Sequence, residues 1–221
     1  MEKEPDESGS VGEFHSVYRQ RIIAILNKPG TELDDICVLQ LFYLMCRAKR
    51  YRNTQVRLVD SCVLEAALRC ARPSRLDKQI NDLRSVFEEL PVVPLVLIPL
   101  VGSSHWSLLV YRTRRQRWYH LDSLAPYHSR MAHHTLQKMY NLMIVPRSLK
   151  SLLSVKLPHQ RSGWECGLYV LQYMLMSIES SNAAGLSDET KFYTYLKEHG
   201  DIACDKNLLL CTENLLALLR K

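Results

Sequence analysis

The chain has 221 residues and a mass of 25.6 kDa, enough for one domain whose core needs no metal or disulfide to fold. Hydrophobic residues make up 47% and charged residues 24%, as in soluble globular proteins, and no apolar run is long enough to cross a membrane. The formal charge of +6 comes from lysines and arginines scattered along the chain, so we expect neither nucleic acid nor membrane as a partner.

The cysteines predict a reducing compartment. All seven lie outside any CxxC pair, and no cysteine or histidine pair has the spacing of a zinc finger, so we expect reduced thiols and no metal. The first residues are acidic and unlike a secretory or mitochondrial leader, which favours the cytoplasm, the nucleus or both.

The first part of the chain predicts helices. Residues 1–13 are acidic and predict a short disordered tail, and residues 14–221 predict a single domain. A first helix is predicted over residues 14–26, before Pro29. Thr31 is the predicted N-cap of a second helix that is apolar nearly all round. Two further helical stretches are predicted over residues 60–70 and 76–89.

The hydrophobic period changes in the second part of the chain. Residues 92–101 form a continuous apolar run that predicts a buried strand, with proline near its ends. Residues 106–112 and 117–121 predict a hairpin around the polar stretch 113–116. The remaining predicted elements are a helix at 131–143, a strand at 152–157 and helices at 166–178, 188–198 and 206–220. Helices, then strands, then helices indicate an α+β fold.

A cysteine at a predicted helix start is the first candidate functional residue. Cys166 opens the helix at 166–178, where unpaired backbone N–H groups and the helix dipole favour a thiolate. His105 stands at the edge of the strand 106–112 and is the leading candidate base. Asp122 follows the next strand, so hairpin pairing would bring its carboxylate back to the imidazole. The simpler interpretations are a structural histidine and an aspartate that caps a turn with Ser123.

Two neighbours of Cys166 could complete an acyl-transfer site. The side-chain amide of Gln160 could donate to the oxygen that becomes negative when a thiolate adds to a carbonyl, together with the backbone N–H of Cys166. Gly167 leaves room for a substrate backbone. A surface glutamine is the alternative for Gln160, and Trp106 could equally be a core aromatic.

The order of these motifs resembles a known family. His-Trp, Asp-Ser and Gln-x5-Cys-Gly, with 17 residues from His105 to Asp122 and 44 from Asp122 to Cys166, resemble the ubiquitin-like-protein-specific cysteine proteases. The segments around His105 and Cys166 most resemble the small deneddylase branch. The resemblance implies a papain-related fold with a central mixed sheet flanked by helices. It also implies cleavage after the C-terminal Gly-Gly of a ubiquitin-like modifier, most closely Nedd-8.

The resemblance also assigns roles to residues. It implies a triad of His105, Asp122 and Cys166, with Gln160 in the oxyanion hole and no cofactor. The expected partners are the modifier, Nedd-8 or SUMO, and its lysine conjugates, and a monomer is the default expectation.

One departure concerns substrate binding. The family usually carries Trp-Leu-Asn-Asp where this chain has Glu32 followed by Leu-Asp-Asp. In the family that tryptophan and the one matching Trp106 line a narrow tunnel for the Gly-Gly tail. The resemblance therefore makes Glu32, Trp106 and Gly167 the substrate-binding candidates, with Glu32 replacing an aromatic contact by a charge. Smaller departures are Glu165 in place of aspartate and Ser162 in place of a frequent asparagine.

Four alternatives remain open at this stage. The same residues would serve a SUMO-specific protease equally well, and more distant relatives with the same residue order are viral proteases and bacterial acetyltransferases. The glutamate at the tunnel position is also consistent with a module that binds a ubiquitin-like modifier without efficient turnover. Finally, residues 31–35 could simply begin a helix, with Glu32 solvated and far from the thiol.

Overall fold

The structure is a computed structural model. It describes residues 19–28, 30–47, 56–69, 80–81, 83–85, 95–142, 144–145, 151–155, 157 and 159–182, and the single residues 194, 213 and 217. The helices with defined bounds are α1 (Asp35–Arg47), α2 (Ser61–Arg69), α3 (Ser129–Asn141) and α4 (Cys166–Asn182). The strands are β1 (Val56–Leu58), β2 (Leu95–Gly102), β3 (His105–Arg112), β4 (Arg117–Leu121) and β5 (Leu152–Val155). Residues 19–26 are also helical.

The strands form one mixed sheet in the order β1-β2-β3-β4-β5. The three central strands are antiparallel, while β1 runs parallel to β2 and β5 parallel to β4. Helices α1 and α4 cover one face and helices α2 and α3 the other. The predicted α+β fold with a central mixed sheet flanked by helices is confirmed. No helix in the described ranges is long and apolar enough to span a bilayer.

Strand β2 is buried on both faces, as its continuous apolar run predicts. Leu95 and Leu97 pack in the cluster with α1 and α4, whereas Val96 and Ile98 pack in the cluster with α2 and α3. All four side chains are fully buried, because successive residues of a strand point to opposite faces and both faces are covered.

The predicted hairpin of β3 and β4 is confirmed, and its register positions the site. Leu108 pairs with Leu121, so the next pair along would join Ser107 to Asp122. His105 lies two residues before Ser107 and therefore on the same face of β3. The end of β4 thus returns to the start of β3, and Asp122 comes within reach of His105.

Some predicted boundaries were wrong. Asp34, not Thr31, is the N-cap of α1, because its Oδ1 accepts from the Cys37 N–H at 2.8 Å and the helix begins at Asp35. Leu33 is buried just before this cap, which fixes where the chain turns into the helix. The helix predicted over residues 60–70 begins one residue later, at Ser61, since Asp60 caps α2.

Other predicted boundaries differ by a few residues. Helix α3 occupies residues 129–141 instead of 131–143, and β5 ends at Val155 instead of Leu157. The tail at 1–13 and most of the helices at 76–89, 188–198 and 206–220 lie outside the described residues.

A two-residue turn joins β2 to β3 directly before His105. Gly102 pairs with His105 across the turn, and the two turn residues, Ser103 and Ser104, have φ values of 49° and 54°. Two left-handed residues in a two-residue loop define a type I′ turn, which favours Asn-Gly. Each serine therefore holds a backbone conformation that its Cβ disfavours.

Replacing this turn by its preferred residues is expected to stabilise the domain. Because both serines are exposed, Ser103→Asn with Ser104→Gly should raise the free energy of unfolding by about 1 kcal/mol and Tm by roughly 2–4 °C. Ser151→Gly, at an exposed serine without a positive φ, is the matched control and should not raise Tm. A lower Tm for the turn variant would show that the serine side chains themselves hold the turn.

Candidate active site

His105 and Asp122 form a buried hydrogen-bonded pair. The Nε2 atom of His105 lies 2.7 Å from Oδ1 of Asp122, and the two residues are only 3% and 1% exposed. The backbone N–H groups of Leu124 and His128 also donate to this carboxylate, at 2.9 and 3.0 Å. Burial alone would raise the pKa of Asp122, but these three hydrogen bonds outweigh it and lower the pKa to about 2. The carboxylate is therefore charged and fixed.

The thiol of Cys166 is the second partner of His105. Cys166 is the first residue of α4 and is 2% exposed; its Sγ lies 3.8 Å from the Gly163 carbonyl, and its side chain also interacts with the imidazole. Because Nε2 of His105 faces Asp122, Nδ1 is the ring nitrogen that can face the Cys166 thiol. Burial alone would lower the pKa of His105, but the hydrogen bonds and charges of Asp122 and Cys166 outweigh it and raise the pKa to about 9. At neutral pH the imidazole is therefore charged and lies between the Asp122 carboxylate and the sulfur of Cys166.

Two further buried histidines support this pair and were missed in the sequence. The ring of His128 packs edge-on against that of His105, with centroids 4.6 Å apart. Its Nε2 lies 3.0 Å from the Gly102 carbonyl, which can only accept, so Nδ1 must accept from the Ser107 hydroxyl, also at 3.0 Å. Ser107 in turn accepts from Nε2 of His120 at 3.1 Å.

These supporting histidines are neutral, in contrast to His105. Burial lowers the pKa of His120 to about 4, and burial also lowers the pKa of His128. The sequence did carry a signal for them. His105 and Ser107 are two residues apart in β3, and His120 and Asp122 are two residues apart at the end of β4. Residues with this spacing share one face of the hairpin, which is therefore polar here.

The side chain of Gln160 has a fixed orientation. Its Nε2 donates to the Ser162 carbonyl at 2.9 Å, and because a carbonyl cannot donate, this contact identifies the NH2 end of the amide. Its Oε1 must then face the Ser123 hydroxyl, which donates to it at 2.6 Å. One N–H of the amide remains for another acceptor.

The loop between Gln160 and the helix is held by Glu165. This residue precedes α4, and its Oε2 accepts from the backbone N–H groups of Arg161 at 2.9 Å and Ser162 at 3.2 Å. The glutamate that stands in place of aspartate thus accepts from backbone N–H groups of residues that precede it in the chain. The N–H of Cys166, in the first turn of α4, has no acceptor within its own helix.

The candidate substrate residues meet around Leu33. The indole N–H of Trp106 donates to the Leu33 carbonyl at 3.1 Å, and Trp106 is 6% exposed. Glu32 is exposed and lies in the extended segment before α1, so it does not begin that helix. A Cβ at Gly167 would lie 2.9 Å from Cβ of Leu33. The missing side chain of Gly167 therefore permits close packing on Leu33, and a substrate contact at this glycine stays a prediction.

The arrangement defines a class of protein. A thiol at a helix start, and an imidazole that interacts with it and with a buried carboxylate, are the groups that a cysteine peptidase uses. The described residues contain no group of three or more His, Cys, Asp or Glu side chains placed to hold a metal ion.

Comparison with known proteins identifies the family. Residues 38–199 match the model of the Ulp1 protease family, C-terminal catalytic domain, and the chain belongs to that family. It is a cysteine peptidase of the kind that acts on ubiquitin-like modifiers.

Individual relatives agree with this assignment. The chain is 30% identical to human sentrin-specific protease 8 over 163 residues, which cover 71% of this chain and 74% of that protein. It is 32% identical to the probable sentrin-specific protease 8 of Dictyostelium discoideum over 97 residues, 41% of this chain and 40% of that protein. The Ulp1 protease domain solved in complex with Smt3, the yeast ortholog of SUMO, superposes with a TM-score of 0.53. That match covers 88% of this chain and 83% of the other at 17% identity and shows the fold.

Gly167 gives a test of packing against substrate contact. Alanine in place of glycine usually favours a helix, but the added Cβ would collide with a Leu33 atom that no rotation can move away. Gly167→Ala should therefore lower the free energy of unfolding by about 1–2 kcal/mol in denaturant titration. Gly163→Ala is the matched control and should change stability little, because its Cβ would meet nothing within 4 Å. Unchanged stability with a raised KM for Gly167→Ala would instead favour a substrate contact.

The raised pKa of His105 gives a second test. In Asp122→Asn the charged acceptor is lost, so the midpoint of the His105 titration should fall from about 9 by roughly 1–3 pH units. The Cε1–H resonance of His105 in NMR spectra reports this midpoint, and near-UV circular dichroism confirms that the variant remains folded. A folded variant with an unchanged midpoint would show that the carboxylate does not pair with the imidazole in solution.

Proposed function

We propose that this protein is a deneddylase, a cysteine isopeptidase and endopeptidase that cleaves after the C-terminal Gly-Gly of Nedd-8. The observation that carries the proposal is the buried chain from Asp122 through His105 to the thiol at the start of α4. Nedd-8 is favoured because the motifs around His105 and Cys166 most resemble the deneddylase branch. The protein would act on precursors or lysine conjugates in the cytoplasm, the nucleus or both.

The proposed reaction begins at Cys166. Its sulfur attacks the carbonyl carbon of the modifier's terminal glycine, and the thiol proton is held by His105 at Nδ1. The oxygen of the carbonyl becomes negative and accepts from the remaining N–H of Gln160 and from the backbone N–H of Cys166. Asp122 keeps Nδ1 directed at the sulfur and stabilises the imidazolium.

The second half of the reaction releases both products. The intermediate collapses to a thioester, the bond to the lysine or peptide nitrogen breaks, and His105 gives its proton to that nitrogen. Water then adds to the thioester, with His105 as its base, and a second oxyanion forms in the same place. Departure of the sulfur releases the modifier with a free carboxylate and restores the thiol.

The proposed substrate side is formed by Trp106, Glu32 and Gly167. Trp106 is tied to Leu33, and Glu32 is the next residue along the chain from that contact. The resemblance puts the tunnel for the Gly-Gly tail at this indole, and Glu32 is exposed. A tunnel with one aromatic wall in place of two should hold the tail more weakly, since an aromatic contact contributes about 0.5–1.5 kcal/mol beyond burial.

Modifiers that end in a thiol-reactive group test the proposal. Nedd-8, SUMO and ubiquitin that each carry a C-terminal vinyl group are incubated with the full chain, and covalent adducts are followed by mass spectrometry. We expect the fastest adduct with Nedd-8, located on Cys166, and none with Cys166→Ala, because the probe reacts only with an aligned thiolate.

The other outcomes identify the alternatives. A faster adduct with SUMO would assign a SUMO-specific protease, the second candidate. Tight binding of one modifier without any adduct would indicate a binding module. An adduct on another cysteine would overturn the assignment of Cys166 as nucleophile.

A further inference from the structure

We propose that Ser123 is a positioning residue of the oxyanion hole, which acts on the reaction through Gln160. The proposal rests on the proposed function, because it concerns a donor to the acyl intermediate. Ser123 touches neither the thiol nor the imidazole in the described contacts, so its effect must pass through the amide.

Two hydrogen bonds join Ser123 to Gln160 across 37 residues of sequence. The hydroxyl of Ser123 donates to Oε1 of the amide at 2.6 Å, and the backbone N–H of Gln160 donates to the carbonyl of Ser123 at 2.9 Å. Ser123 is 1% exposed, so water has little access to replace its hydroxyl. Both the backbone and the side chain of Gln160 are therefore located by this one serine.

The hydroxyl also fixes which way the amide faces. Among the described residues, Oε1 of Gln160 accepts from Ser123, and Nε2 of Gln160 donates to the Ser162 carbonyl. Without the hydroxyl, Oε1 of the half-buried Gln160 would lose this donor, which favours rotation of the amide. A rotated amide would no longer aim its free N–H at the developing oxyanion.

A capping role for Ser123 is not supported by the contacts. The loop after β4 is held by Asp122, whose carboxylate accepts from the N–H groups of Leu124 and His128. The serine hydroxyl is directed to Gln160 instead. The adjacent residues Asp122 and Ser123 thus hold the base and the oxyanion donor respectively.

Steady-state kinetics of Ser123→Ala on a modifier with a fluorogenic C-terminal amide test the proposal. We expect kcat to fall by roughly 10–100-fold, less than the 10²–10³ for complete loss of a donor, with KM within about twofold. Ser180→Ala is the matched control: this serine is also 1% exposed, and its hydroxyl donates to the Ser177 carbonyl at 2.8 Å. Because that contact lies at the other end of α4 from Cys166, the variant should keep the parent kcat.

A double-mutant cycle separates positioning from a general structural role. In a Gln160→Ala background, Ser123→Ala should cost nothing further, because the group it positions is gone. Equal losses in both backgrounds would overturn the proposal. The pH profile of kcat should also be unchanged in Ser123→Ala, and a shifted profile would show that the serine acts through Asp122 instead.

The pair Ser123→Thr and Ser123→Val keeps the test valid if alanine unfolds the loop. The two side chains have nearly the same shape and differ in the hydroxyl, so threonine should retain at least tenfold more activity than valine. Equal activity of the two folded variants would contradict the proposal. If the parent cleaves modifiers and Ser123→Ala has the same kcat, only the role of Ser123 is overturned. If the parent cleaves no modifier, the proposed function is overturned as well.

Discussion

The buried hydrogen bond between His105 and Asp122 is the interaction on which the site depends. It forms because the hairpin register returns the end of β4 to the start of β3. Its cost is the burial of a charged carboxylate, which the N–H groups of Leu124 and His128 offset. The same pairing leaves Nδ1 of the imidazole for Cys166. Loss of the register would therefore separate the Asp122 carboxylate from the imidazole and disturb the position of the imidazole beside Cys166.

Local patterns predicted the parts of the molecule that depend on local physics. Continuous apolar residues gave the buried strand β2, and the polar break after Arg112 gave the hairpin that brings Asp122 to His105. The N-cap of α1 was misplaced because Thr31 and Asp34 are both good caps, and the burial of Leu33 decides between them. Alternating polar residues marked one face of the hairpin, but the partners of Gln160 and of the two neutral histidines lie far away in the sequence, so no local pattern identifies them.

Leu33 connects two parts of the molecule that sequence analysis treated separately. Its carbonyl accepts from the Trp106 indole, and its side chain packs where Gly167 has none. The segment before α1 is therefore held between Trp106 and α4. Because a protein interior is close-packed, a displacement of Leu33 would move its neighbours, so the position of α4 is linked to that of the Trp106 indole. Substitutions in residues 31–34 should therefore be tested for effects on both α4 and Trp106.

The chain of neutral histidines behind the base gives this fold a preferred range of acidity. In the folded protein the pKa of His120 is about 4, whereas an unfolded histidine titrates near 6.5. Between these values the unfolded chain binds more protons, so stability is lost as the pH falls through that window. For a residue only 1% exposed the loss amounts to about 3 kcal/mol from this side chain alone. A proton taken up by His120 would go to Nδ1, because Nε2 already donates to Ser107. The burial of neutral His120 behind the Asp122–His105 pair thus makes the whole domain less stable in acid.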